Sequence, residues 1–371
     1  MNKVIGICDL HNDPHLGELT KNRPLGAVTF LGRYGLIDFT LSNFSNSHID
    51  KVYVLVRKGI VALRKHIGSG SIWTNNTKLG YVELLINEKG LTNKAFNTDI
   101  NNIKSGLDID ELDFDQAVIA PGYMLSSMDF RPLVSKHITS GAAITCIYKH
   151  VDNADKDYFQ CDKYKLDSDN HIVKSSKNHG RTDEADISLD TFIISKKALL
   201  KLIKDSSKVS ELYSIKDMVN HYIEDGSYDV RGIEFNGYVV PILTLEGYVS
   251  HSLNLLNYHI RNQLFFEDWP IYTTTHNTPP ALYGKDADVQ NSFIANGAIV
   301  KGKVYNSIIS RDVVIEKGSD VRNSIIFTKT LIGKDTKLDH VLIDKNVKVL
   351  NVKKMVGSEE DIIVISQGAT I

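Results

Sequence analysis

The sequence predicts two architectures in series. An α/β unit with a mostly parallel sheet and helices on both faces is followed by a parallel β-helix of hexapeptide-type repeats. Over the first 250 or so residues, short apolar runs alternate with helical patterns, as βαβ crossovers require. Over about the last 90 residues one motif recurs at a near-constant spacing, as a solenoid requires. At 371 residues the chain exceeds one ordinary core. The expected division is 1–250 for the α/β unit, 251–285 for a helix and connector, and 286–371 for the β-helix.

The strands of the first unit are read from "VIGI" at 4–7, "VYVLV" at 52–56, "AVIA" at 117–120 and "AAITCIY" at 142–148. Each is too short for a typical helix and apolar without alternation, as strands buried on both faces are. Between them, Ile37, Leu41 and Phe44 fall at i, i+4, i+7 and form one helical stripe. Ligands in such sheets bind beyond the carboxyl ends of the strands, which is where Asp9, His11, Asp13 and His15 stand. A helix is expected to about Asn262, after which "DWP" and "NTPP" break regular structure.

In the last part, "NSFIANG" from Asn291, "NSIISRD" from Asn306, "NSIIFTK" from Asn323 and "HVLIDKN" from His340 start 15, 17 and 17 residues apart. A period near 18 is three sides of six residues, so each repeat is one coil, with Ile294, Ile309, Ile326 and Ile343 stacked inside. His340 is the only histidine of the coils and no protruding loop is expected, so an acyltransferase site is not. The open ends of the stack favour subunit contacts, because exposed strand edges must be covered.

Composition excludes several classes. A net charge of −2 makes no case for nucleic acid or an anionic membrane. No apolar run approaches the roughly 20 residues of a spanning helix, and the features of a signal peptide are missing. Three cysteines without a CxxC point to a reducing, cytoplasmic setting and to buried apolar roles.

Four blocks carry a family resemblance: "LTKNRPLGAVTFLGRYGLIDFTLSNFSNSHI" at 19–49, "HIGSGSIW" at 66–73, "APGYMLSSMDF" at 120–130 and "FNGYVVPILTLEGY" at 235–248. With them the chain resembles bacterial glucose-1-phosphate adenylyltransferase (ADP-glucose pyrophosphorylase) over nearly its whole length. The resemblance implies a Rossmann-like nucleotidyltransferase fold followed by a left-handed β-helix. In that reaction a sugar phosphate attacks the α-phosphorus of ATP and pyrophosphate leaves. Such chemistry needs glycines that let backbone N–H groups approach phosphate, cations, and carboxylates that hold Mg²⁺.

The family's motifs for these tasks are altered here. Its GG-x-G-x-R loop ends in LT. Counting back from Leu19-Thr20 puts Leu10, His11 and Asp13 at the three glycines and His15 at the arginine. The family lysine becomes Leu25, and the two metal aspartates become Tyr123 and Pro241. One preorganised electrostatic group is worth about 10²–10³ in rate, and several are replaced together. The resemblance is therefore to the GlgD-type subunit, which lacks the catalytic loop and tunes a catalytic paralogue. It implies a heterotetramer with that paralogue, Mg²⁺ in the partner alone with no cofactor in this chain, and a phosphorylated sugar as possible effector.

Candidate residual ligand or effector residues are Arg33, Gly68, Ser69 and Lys177. Arg33 keeps one arginine of the family's GGRYR stretch, whose other arginine is Gly35 here. Gly68-Ser69-Gly70 offers backbone N–H groups to a phosphate, and Lys177 corresponds to the lysine of the sugar-phosphate E-K-P motif. Trp73 reads as core or ligand wall, and Asp38 and Asn43 as structural caps. Two alternatives remain: a metal-dependent phosphohydrolase using Asp9 and His11 from the D-x-H pattern, and a standalone sugar-phosphate sensor.

Overall fold

The structure, a computed structural model, describes residues 3–76, 78–87 and 96–371. Its first part is built on a nine-stranded mixed sheet. In chain order the strands are β1 (Val4–Asp9), β2 (Lys51–Val56), β3 (Tyr81–Ile86), β4 (Gln116–Pro121), β5 (Ile144–Val151), β6 (Asp162–Leu166), β7 (Ile172–Lys177), β8 (Ala185–Ser195) and β9 (Val230–Glu234). Strands β4, β1, β2 and β3 lie side by side and parallel. Strand β8 runs antiparallel to β4 and also pairs with β5 and β6, and β9 continues beside β5 in parallel.

Helices close both faces, so β1 sends Ile5 and Ile7 into one core and Cys8 into the other. The predicted stripe lies on helix α1 (Ile37–Asn46), where Ile37, Leu41 and Phe44 are fully buried. A Cβ added at Gly6 of β1 would come within 3.0 Å of the Phe44 ring, so glycine there permits the helix to approach the sheet. Asp38 accepts the Gly35 N–H at 2.8 Å, and Asn43 receives the Trp269 indole N–H at 2.8 Å. Trp73 is fully buried. The helix expected up to Asn262 is two, α2 (Leu245–Asn254) and α3 (Tyr258–Leu264). Asn257 starts the second by accepting the His259 N–H, which favours a new N-cap over continuation.

The last part is three parallel five-stranded sheets, one per side of the coil. Ile294, Ile309, Ile326 and Ile343 pair in register as one inner column. Asn291, Asn306, Asn323 and His340 turn one corner with φ between +41° and +50°, a conformation asparagine tolerates better than most residues. The asparagine amides bond from coil to coil at 2.7–2.9 Å, ending on Asp339. The following Ser292, Ser307 and Ser324 hydroxyls accept the next coil's N–H at 3.1 Å. The absence of a protruding loop is corrected in the last coil. Ile343 pairs with Ile365, a step of 22 residues where earlier steps are 15–17. The extra residues form a turn near 357–361, closed by the Ser358 N–H on the Asp361 carbonyl at 3.0 Å.

Neighbouring residues of a strand face opposite ways. Each "II" pair therefore puts Ile309 or Ile326 inside the coil, and Ile308 or Ile325 against the α/β core. Phe327 and Leu342 join that contact. At its centre Arg23 forms a buried ion pair with Asp344, donates to the Leu19 carbonyl at 2.7 Å, and lies 6.0 Å above the Phe327 ring. Removing one partner strands a buried charge. Asp344→Ala is therefore expected to lower unfolding stability by about 3–5 kcal/mol, and Arg23→Met/Asp344→Leu to recover most of it, measured by chemical denaturation.

Candidate functional site

The segment after β1 forms one wall of a cleft of about 580 Å³. Asp9 accepts the His11 N–H at 2.9 Å and the Asn12 amide at 3.0 Å. Leu10 is buried over two glycines: a Cβ on Gly122 would lie 2.7 Å, and one on Gly26 3.3 Å, from its methyl groups. Space that a phosphate loop leaves open is thus filled with hydrocarbon. Leu25 is also buried, and His15 is exposed at the mouth.

Asp13 points inward. Both its oxygens are fully buried and no donor reaches either at hydrogen-bond geometry. Burial, then the charge of Asp9, push its carboxyl well above the ordinary range, although the N–H groups of Leu25 and Gly26 and the Lys58 ammonium oppose this. Asp99, fully buried behind the loop, is raised in the same way by burial and by Asp9.

His11 is buried with Nδ1–H facing the Asn97 carbonyl at 3.3 Å, which leaves Nε2 to accept from the Asn102 amide at 3.0 Å. Neither nitrogen is free for a metal, and among the described residues no group of three or more His, Cys, Asp or Glu side chains could hold one. This geometry overturns the alternative of an Asp9/His11 metal centre.

The two positions expected to carry metal carboxylates do come together. Pro241 pairs with Met124 across a two-stranded ribbon, and the Ile242 N–H donates to the Tyr123 carbonyl at 2.8 Å. Tyr123 and Pro241 supply no carboxylate, so these residues do not fit Mg²⁺. Tyr123 instead reaches across the site and donates its hydroxyl to Asp190. Burial, then Asp190, raise its pKa far above the usual value. Lys216 bridges Asp190 at 2.6 Å and Asp162 at 3.0 Å, and Lys177 meets Asp162 at 2.7 Å. Burial pulls the Lys216 ammonium down, but Asp190 and Asp162 outweigh it and hold the pKa above its ordinary value. The lysine singled out in the sequence is therefore neutralised within the chain, beside a second lysine that no motif marked.

Arg33 lies elsewhere, in a cleft of about 890 Å³ between the α/β unit and the coil. Lys65, Arg311, Lys329 and Lys345 join it there, with Asp312 the one carboxylate in the lining. The excess charge marks the groups themselves. Burial, then Arg33, lower the Arg311 pKa, and burial, then Arg23, push Lys345 down to about 8. Gly35 is explained by His66, whose Nε2 would lie 2.7 Å from an added Cβ. Gly68 and Ser69 line neither cleft. The Gly68 and Gly70 N–H groups close the preceding helix on Arg64 and Ile67 at 3.0 Å.

Known proteins match this arrangement. A nucleotidyl transferase family model covers residues 15–233 and a GlmU-like C-terminal hexapeptide model covers 279–362. "Glucose-1-phosphate adenylyltransferase" of Fervidobacterium nodosum is 30% identical over 93% of this chain and 84% of its own length. The chain belongs to the glucose-1-phosphate adenylyltransferase family. It is also 29% identical to "Glycogen biosynthesis protein GlgD" of Bacillus subtilis (strain 168), over 99% of this chain and 96% of that protein. Within this family, the coil is the left-handed β-helix that the hexapeptide repeats build.

The buried Asp13 gives a test with a definite sign. A carboxyl whose folded-state pKa is raised contributes stability that is present below the unfolded value, near pH 4, and is lost as pH rises. Asp13→Asn is expected to flatten the decline in unfolding stability between pH 4 and pH 8, and to be the more stable form at pH 8 by about 1–3 kcal/mol. Parallel pH profiles for the two proteins would contradict the assignment.

Proposed function

We propose that this chain is a non-catalytic, regulatory subunit in glycogen biosynthesis. It works with a catalytic paralogue of glucose-1-phosphate adenylyltransferase, as a heterotetramer in which Mg²⁺ belongs to the partner. The observation that carries the reading is that Tyr123 and Pro241 lie side by side, joined through the Ile242 N–H on the Tyr123 carbonyl, where two carboxylates would have to hold the metal. Leu10 and Asp13 in the phosphate cradle add to it. A triphosphate brought there meets a buried hydrocarbon surface and an acid, with Lys177 and Lys216 already paired. Without carboxylates at 123 and 241 to hold a metal, the charge stabilisation that phosphoryl transfer needs falls to Arg57 and Lys58 at the cleft wall, which bond to the His11 and Thr20 carbonyls.

The regulatory half of the proposal rests on the basic cleft. Arg33, Arg311, Lys329 and Lys345 face it from both architectural units, so an anion bound there contacts both. Phosphorylated sugars carry the charge and hydroxyl pattern that arginine and lysine recognise.

The test is formation of ADP-glucose from ATP and glucose 1-phosphate by the chain alone, the paralogue alone, and the two together. The expected result is no Mg²⁺-dependent turnover by the chain alone and a changed rate or effector response in the mixture. Arg311→Ala/Lys329→Ala is expected to remove the effector response of the mixture and leave its basal rate. Robust turnover by the chain alone would overturn the non-catalytic reading.

A further inference from the structure

The cleft of about 580 Å³ at the altered loop carries groups of both charges that its own residues leave unmatched. Two parallel neighbours, β1 and β2, end at its wall. The loop after β1 supplies Asp13, and the residues after β2 supply Arg57 and Lys58. An α/β sheet opens its ligand crevice beyond such carboxyl ends.

Three acids stand at this loop, and they differ in their partners. Asp9 accepts the His11 N–H and the Asn12 amide, and Asp99 accepts the Ile100 and Ile215 N–H groups at 2.6 and 3.1 Å. Asp13 accepts from none, because the Leu25 and Gly26 N–H groups lie near it without hydrogen-bond geometry. A second acceptor in the lining is left in the same way. The Asn97 amide nitrogen donates to the Arg57 carbonyl at 3.0 Å, yet its Oδ1 is fully buried without a donor. Buried acceptors left bare are costly, and each calls for an explanation.

The cations are unmatched in the opposite sense. Arg57 reaches the His11 carbonyl at 3.5 Å and Lys58 the Thr20 carbonyl at 2.8 Å, and neither forms an ion pair among the described residues. A simple anion in this cleft meets Asp13, and a simple cation meets Arg57 and Lys58. A ligand with both charges suits both walls. Its ammonium supplies donors to Asp13 and Asn97, and its carboxylate accepts from Arg57 and Lys58. Leu10, Pro14, Pro24 and Leu25 complete the lining with hydrocarbon, as sites for small apolar groups require. We infer that the altered cleft binds a small zwitterion of the α-amino acid class with an apolar side chain. The inference rests on the reading that no nucleotide occupies this cleft.

The probe is L-leucine, titrated calorimetrically into the full chain at pH 8, where Asp13→Asn is expected to be the more stable form. Two half-ligands are the controls: 4-methylpentanoate, which lacks the ammonium, and 3-methylbutylamine, which lacks the carboxylate. Saturable one-site binding of leucine is expected, with each half-ligand about ten-fold or more weaker. Asp13→Asn is expected to weaken leucine by a similar factor and to leave 4-methylpentanoate no weaker. Arg57→Ala/Lys58→Ala, at two exposed positions, is expected to weaken leucine and to leave 3-methylbutylamine no weaker. An unchanged or raised unfolding midpoint shows that each variant is folded. No saturable binding of leucine, half-ligands that bind as tightly, or equal leucine affinity in the variants would overturn this inference alone. Turnover of ATP by the chain would overturn the reading beneath it.

Discussion

The buried Arg23–Asp344 ion pair is the contact on which both clefts depend. Two charges out of water hold each other only if neither can leave. Arg23 ends the segment that begins at the altered phosphate loop, and it donates to Leu19 within that segment. Asp344 opens the coil corner that continues into Lys345 and the basic cleft. The outer row of Ile308, Ile325 and Leu342 joins the coil to the α/β core beside it.

The cluster around Tyr123 and the basic cleft have opposite electrostatic balances. In the first, Lys216 and Lys177 are matched by Asp190 and Asp162, and the Tyr123 hydroxyl fills the space between. That network is satisfied from within and needs no ligand. The loop beside it carries the buried acid Asp13, whose desolvation outweighs the nearby Leu25 and Gly26 N–H groups and the Lys58 ammonium. In the basic cleft Arg33, Lys65, Arg311, Lys329 and Lys345 face a single carboxylate in the lining, Asp312. An anion is what that arrangement lacks.

Much of this was legible in the sequence where the signal is local. The isoleucine column at 294, 309, 326 and 343 follows from the repeat alone, because coil-to-coil register in a solenoid is sequence spacing. The positions 10–15, 123 and 241 could be singled out because flanking motifs fix the register, and 123 and 241 do lie side by side. Lys216 and Asp190 were not, since Asp190 meets Tyr123 only through the pairing of β8 with its neighbours, and Lys216 reaches Asp190 from Ile215–Asp225, the second helix after β8. The cations at 311, 329 and 345 stand at one corner of successive coils, and that this corner faces Arg33 of the α/β unit does not follow from the repeat. The break after Asn254 turns on one capping asparagine, and the extra turn near 357–361 on a lengthened last step. Neither interrupts the hydrophobic pattern.

The central proposal is that the site around Tyr123 and Asp190 is neutralised from within and holds no Mg²⁺–nucleotide complex. Its most direct test is a calorimetric titration of the purified chain with ATP, in the presence and absence of Mg²⁺. The account predicts no Mg²⁺-dependent component, with any ATP signal abolished by Arg311→Ala/Lys329→Ala because it arises in the basic cleft. A saturable, Mg²⁺-dependent signal that survives those substitutions would contradict it.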